Sequence, residues 1–314
     1  MNGHPHSDPR PHQASLRWQS QTVLLAFLPI TGVWTTLEAG QLWYAHDAAL
    51  WPGALISVAL AALVFAARAA TPAAALTGAL FAAALWLQTP GLHTALWPLL
   101  ALLVLTFTAT RFGRRRKESL GIAEARRGRT ASQVAANLGA AVLAGIPLSA
   151  AHVFTPVAFG GRAAMAGMIA AMAEATADTV SSELGQVLGG TPRLITNLRR
   201  VPAGTDGAVS LAGTLLGSLA AAVLVGVAFV ALHRFGANSP PFGATGHAGI
   251  EFSGPGFSGI DAVLALAAGI AGTLFDSLLG ALPERRGWLN NDAVNALSTL
   301  AAAMLAAWAT RFFA

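Results

Sequence analysis

The chain is 314 residues long, 54% hydrophobic and only 11% charged, with a mean hydropathy of +0.58. A soluble domain carries roughly 25% charged residues, so this composition lacks the solvating surface of a soluble helical bundle. The absence of cysteine excludes disulfides, thiolate metal sites and a cysteine nucleophile. The net charge of +5 lies in short loops beside apolar runs, with no nucleic-acid motif.

Residues 1–20 form a polar tail with Pro5, Pro9 and Pro11 among His4, His6 and His12. That composition reads as a disordered tail rather than a metal site. No small-residue cleavage site follows the apolar stretch 22–34, unlike a signal peptide. Residues 21–314 then read as a single integral membrane domain. Apolar runs predict helices at 21–43, 50–67, 72–88, 93–112, 133–154, 160–177, 208–232, 261–282 and 293–312. Pro29 and Glu38 interrupt the first, and Pro147 with Ser149 predicts a kink in the fifth. The fold class is all-α, a polytopic transmembrane helical bundle of about 8–9 spans.

Basic loops orient the bundle. Arg111, Arg114, Arg115, Arg116, Lys117, Arg126, Arg127 and Arg129 crowd the connection after the fourth helix. With that connection cytoplasmic, Arg68, Arg193, Arg199, Arg200, Arg285, Arg286 and the N-terminal tail fall inside as well. The segment 236–260, without Lys or Arg, falls outside.

Four polar clusters share that cytoplasmic face. The first is Glu174-Ala175-Thr176-Ala177-Asp178-Thr179-Val180-Ser181-Ser182-Glu183, directly after an apolar run. Glu174, Asp178 and Ser181 lie on one helical stripe. Two acids one turn apart at membrane depth require a proton or a shared divalent cation, and oxygen donors suit magnesium. Helix-end solvation with pairing to loop arginines is the alternative. The second cluster, 191–210, joins Arg193, Arg199 and Arg200 to Gly204, Thr205, Asp206, Gly207 and Ser210. Glycines let the backbone approach a ligand, and arginines present forked donors to phosphate. A positive-inside loop with a tight turn fits the same composition. The third is Asp276-Ser277 amid Leu274, Phe275, Leu278 and Leu279, where an acid must face the bundle interior or a wet cavity. The fourth is Asn290, Asn291, Asp292 and Asn295 at the start of the last helix, where capping competes with ligand binding. Asn137, one turn into the fifth helix, would extend the same site. His46, His93, His152, His233 and His247 fall towards the other side and receive no role.

These residues resemble a known membrane family. The segments 177–185 and 199–211, with Pro202-Ala203-Gly204-Thr205-Asp206-Gly207-Ala208-Val209-Ser210 at the core of the second, are similar to the family once catalogued as domain of unknown function 92. So are Asp276-Ser277-Leu278-Leu279-Gly280-Ala281 and Asn291-Asp292-Ala293-Val294-Asn295. The family includes vertebrate transmembrane protein 19 and the plant phytyl-phosphate kinases, and the resemblance runs over about residues 50–314. Many members have an aromatic residue at Val180 and a Gly-Gly at Gly207-Ala208, departures that bear on substrate choice.

The resemblance implies a polyprenyl-monophosphate kinase that forms an isoprenyl diphosphate by magnesium-dependent phosphoryl transfer from a nucleoside triphosphate. An Asp-containing helix before a basic Gly-Ser/Thr loop is similar in arrangement to CTP-using dolichol and phytol kinases, which favours CTP over ATP. On this reading Asp178, with Glu174 or Glu183, and Asp276 hold magnesium. Arg199, Arg200 and the 204–207 backbone bind donor or acceptor phosphates, and Asn291, Asp292 and Asn295 orient the acceptor or the groups around the metal's ligands. The partners are a prenyl monophosphate, the nucleotide and the bilayer, with no nucleic acid. The alternatives are a transporter or scramblase of a phosphorylated lipid, for which no internal repeat is visible, and a non-catalytic membrane protein.

Overall fold

The computed structural model describes residues 16–119, 121, 128–153, 161–234 and 256–313, with backbone alone at 151–153. The tail histidines, Arg126, Arg127, His247, the side chain of His152 and most of 236–260 lie outside the described residues. Ten α-helices fill the described chain: α1 (Arg17–Tyr44), α2 (Leu50–Ala66), α3 (Pro72–Gln88), α4 (Leu96–Arg111), α5 (Arg114–Ser119), α6 (Ala131–Val153), α7 (Gly161–Leu188), α8 (Leu211–Leu232), α9 (Gly259–Leu279) and α10 (Asn291–Phe313). A two-residue antiparallel hairpin, β1 (Arg193–Leu194) with β2 (Ala208–Val209), links α7 to α8. The π-helical turn Gly280–Glu284 extends α9.

Among the described residues, five stretches are long and apolar enough to cross a membrane: Arg17–Tyr44, Ala131–Ala150, Leu211–Leu232, Gly259–Glu284 and Asn291–Phe313. Helices α2, α3 and α4 are apolar but shorter, and the acids of α7 keep it out of the set of five. Their outer surfaces carry exposed Leu25, Val33, Leu55, Val58, Leu219, Val230 and Met304. Exposed Trp18, Trp43, Trp51, Trp97 and Trp308 stand near helix ends, where an indole meets the membrane–water boundary.

Helix α7 is the hub, packed by α4, α6, α8, α9 and α10. Its half from Ala163 to Ala177 is buried, and alanine and glycine allow the close approach. A Cβ on Gly217 of α8 would meet the Ala177 carbonyl oxygen at 2.5 Å, and one on Gly269 of α9 would meet Ala173 Cβ at 2.8 Å. The expected end of this helix at residue 177 is corrected to Leu188. Val180, Leu184 and Val187 continue an inward face, and the helix runs through Gly185 to stop before Gly189 and Gly190, the latter with φ +65°. The acidic stripe therefore lies within the hub helix, not at its mouth.

The helices run alternately between two ends of the molecule, as their contacts show. At one end Gln19 Nε2 donates to the Trp288 carbonyl at 2.8 Å, Arg129 bridges to Ala70, and Lys117 meets Glu183. At the other, Trp86 Nε1 donates to the Ala49 carbonyl, His93 Nδ1 contacts the Ala231 carbonyl, and Arg162 meets Asp261. Arg68, Arg111, Arg114, Lys117, Arg129, Arg193, Arg199, Arg200, Arg285 and Arg286 gather at the first end.

Candidate active-site cleft

The base-rich end opens into a cleft of about 280 Å³ between α7, the hairpin, α8, α9, the π-turn and the start of α10. Asp178 and Ser181 come from α7, Thr205, Asp206, Gly207 and Ser210 from the hairpin segment, Asp276 and Ser277 from α9, and Glu284 from the π-turn. Local chemistry sets these positions. Ser210 caps α8 by accepting from the Gly213 amide at 3.1 Å, which turns the chain out of the hairpin. Gly204 and Gly207 adopt φ of +81° and +72°. Gly207 also packs so tightly on the π-turn that a Cβ would stand 2.2 Å from the Ala281 nitrogen. The Gly207–Ala281 contact seats the hairpin on the turn that carries Glu284.

One wall of the cleft concentrates negative charge. Asp178 of α7 and Asp276 of α9 line it within electrostatic reach of each other, and Ser298 Oγ of α10 donates to Asp276 Oδ2 at 3.1 Å. Glu174 stands one turn behind, 1% exposed, held between Gly272 and Ser298. Its Oε1 has no hydrogen-bond partner among the described residues, nor does Gln186 Oε1 at the cleft wall. Glu284 faces Asp206 and Asp178 from the far side. Arg129 acts on Asp178 from this wall, and its Nη2 donates to Thr179 Oγ1 at 3.3 Å. Unpartnered buried acceptors and neighbouring acids make this wall a candidate ligand site.

The expected site residues divide. Asp178, Asp276, Gly204, Thr205, Asp206, Gly207, Ser210 and Asn291 line the cleft together. Glu174 lies behind its wall, while Glu183 is drawn out of it by the buried Lys117 Nζ. Arg199 and Arg200 are exposed on the hairpin and do not line the cleft. Arg193 Nη1 is spent on the Leu198 carbonyl at 3.0 Å. Asp292 and Asn295 are buried below the rim, where Asn295 Nδ2 donates to Asn137 Oδ1 at 3.3 Å. Capping of α10 falls to Asn290, whose Oδ1 accepts from the Ala293 amide at 2.9 Å. Glu284 and Gln186 stand outside the expected set. In the sequence Glu284 is one acid beside Pro283 and two arginines, indistinguishable from loop solvation.

Among the described residues, no three His, Asp or Glu side chains gather into an all-protein metal cage. A pair of carboxylates with an orphan carboxyl oxygen behind it nevertheless suits magnesium, which keeps waters and binds through one or two carboxylates plus substrate phosphates.

Residues 55–303 match the family described as integral membrane protein DUF92. The chain belongs to the DUF92 family. With the apolar helices above, this makes it a multi-pass integral membrane protein. It is 42% identical over 143 residues to the uncharacterized membrane protein MJ0933 of Methanocaldococcus jannaschii, covering 45% of this chain and 50% of that one. It is 35% identical over 198 residues to the uncharacterized membrane protein sll0875 of Synechocystis, covering 63% and 66%. It is 32% identical over 206 residues to the chloroplastic protein VTE6 of Arabidopsis thaliana, covering 63% and 53%. The chain thus spans about half to two thirds of the length of these DUF92 relatives. No solved structure matches it.

Proposed function

We propose that the cleft transfers a phosphoryl group from a nucleoside triphosphate, CTP or ATP, to a prenyl monophosphate, forming the diphosphate. The observation that carries this reading is that Asp178 and Asp276 line one cleft within electrostatic reach of each other, beside a glycine-bearing polar hairpin at the base-rich end. Such a pair is stable only with a proton or a cation between its members, and a metal–nucleotide complex supplies the cation. Phosphoryl transfer needs alignment and charge neutralisation more than covalent help.

Asp178 and Asp276 would hold magnesium, with Glu174 behind them. When bound, the metal would supply charge neutralisation for the nucleotide phosphates. Asp206 and Ser210 orient the donor, while the 204–207 backbone comes close to its phosphates. Arg199 and Arg200, exposed on the hairpin, draw anionic substrates toward the cleft. Asn291 at the rim, with Asp292 and Asn295 beneath it, positions the acceptor. A monophosphate acceptor is already anionic near neutral pH, so no strong general base is required. The alternating helices read as nine spans, with the N terminus and the cleft on the cytoplasmic face.

Purified protein in detergent, given magnesium, γ-labelled CTP or ATP and phytyl or geranylgeranyl monophosphate, is expected to yield labelled diphosphate. Absence of transfer across several prenyl monophosphates and both nucleotides would refute the kinase reading. Lipid flipping in vesicles without transfer would instead assign the cleft to a transporter or scramblase.

A further inference from the structure

A second groove, of about 330 Å³, runs along the flank formed by α2, α3, α4 and α6. Its walls are apolar, with Leu60, Val64, Leu99, Leu103 and Val134 around a floor of small residues that includes Gly78. At the base-rich end the lining includes Arg68, Arg111, Arg114, Lys117 and Arg129, of which Arg114 pairs with Glu118 and Lys117 with Glu183. An apolar trough closed by cations at one end complements an anionic amphiphile and neither a neutral lipid nor a soluble anion.

The position of Arg129 joins this groove to the cleft. It lines the groove, yet its guanidinium contacts Thr179, the residue that follows Asp178 on α7. Asn137 links the two in the same way: it lines the groove while its carbonyl accepts from Asn295 below the cleft rim. A phosphate held at the basic end of the groove therefore lies beside the acid wall, and a chain attached to it runs away along α3 and α4. From this geometry we infer that the groove is the acceptor seat: it takes the single apolar chain of a prenyl monophosphate and presents its phosphate, beside Arg129, to the donor. The inference rests on the kinase reading for the identity of the amphiphile, and on the groove alone for its seat.

Gly78 provides the test. It lines the groove, and a Cβ there meets nothing within 4 Å, so a larger side chain grows into the trough without disturbing α3. Gly78→Trp is expected to raise KM for geranylgeranyl monophosphate by about tenfold or more, roughly the loss of two buried methylenes, while KM for the nucleotide stays the same. In parallel, a diazirine-bearing prenyl monophosphate should label wild-type α2, α3 or α4. Unlabelled geranylgeranyl monophosphate should displace that label, and phosphatidic acid in equal amount should not. Label on the groove with no phosphoryl transfer would overturn the kinase reading and leave the seat standing. Transfer with label mapped elsewhere and an unchanged KM in Gly78→Trp would overturn the seat and leave the kinase reading standing. Equal displacement by phosphatidic acid would make the groove a site for bilayer lipid and overturn the inference.

Discussion

The two ends of α7 handle charge in opposite ways. Near its start, Arg162 Nε and Nη2 each donate to Asp261 at 3.0 Å, and Nη2 reaches Ser258 Oγ at 2.9 Å. Asp261 also closes a capping box with Ser258 at the start of α9 and is fully buried. The buried carboxylate there has both oxygens bonded to the guanidinium. Sixteen residues further along the same helix, Asp178 and Asp276 share one cleft wall, and behind them Glu174 Oε1 has no hydrogen-bond partner among the described residues. Both sites join α7 to α9, so packing alone does not distinguish them. The first is a rivet whose charges cancel within the protein, and the second crowds Asp178, Asp276 and Glu174 together, with Arg129 acting on Asp178. Membrane proteins retain such an expense where a ligand completes it.

Substitutions at the two ends should therefore separate stability from activity. The largest effect is expected from Asp178→Asn and Asp276→Asn, each lowering phosphoryl transfer by about a thousandfold. The melting temperature should hold or rise, since a like-charge contact is removed. Full activity in both variants would contradict the metal assignment. Next comes Arg162→Met, which strands Asp261 in the core and should lower stability by about 3 kcal/mol. Transfer per folded molecule should persist, and a selective loss of transfer would make this end part of the site. Gly217→Val should cost about 2 kcal/mol by pushing α8 from the Ala177 carbonyl, read as a lower melting temperature. An unchanged one would mean that the α7–α8 crossing is looser than it stands. The smallest effect belongs to Arg199→Gln and Arg200→Gln, with KM for the nucleotide raised about threefold in low salt and the difference lost in high salt. A loss of kcat instead would place these side chains at the reacting phosphates.

Much of this arrangement was legible in the sequence because the helices are written in apolar length. The expected boundaries of α2, α3 and α8 fall within a few residues of those observed, and the basic loops do collect at one end. Asp178 and Asp276 could be singled out because a carboxylate amid leucine and alanine has no cheap environment. Other features depend on partners distant in the chain. Arg162 and Asp261 are 99 residues apart, and each alone reads as a helix-end charge. Lys117 reads as one of a run of loop bases, whereas it is 1% exposed and binds Glu183, 66 residues away. The end of α7 was misplaced because hydropathy falls where Asp178, Ser181 and Ser182 begin, although helical periodicity continues through Val187. Arg199 and Arg200 look like cleft residues by proximity to Gly204, but the turn at Leu198, with φ +58°, sends them outward.

The central claim, that the Asp178–Asp276 pair exists to hold a metal–nucleotide complex, is tested most directly by electron paramagnetic resonance of Mn²⁺, standing in for magnesium, on the detergent-purified protein. The account predicts that nucleotide and Mn²⁺ together give a bound-ion signal in the wild type, retained in Arg162→Met and lost in Asp178→Asn and Asp276→Asn. A bound signal of equal strength in the two aspartate variants would contradict it.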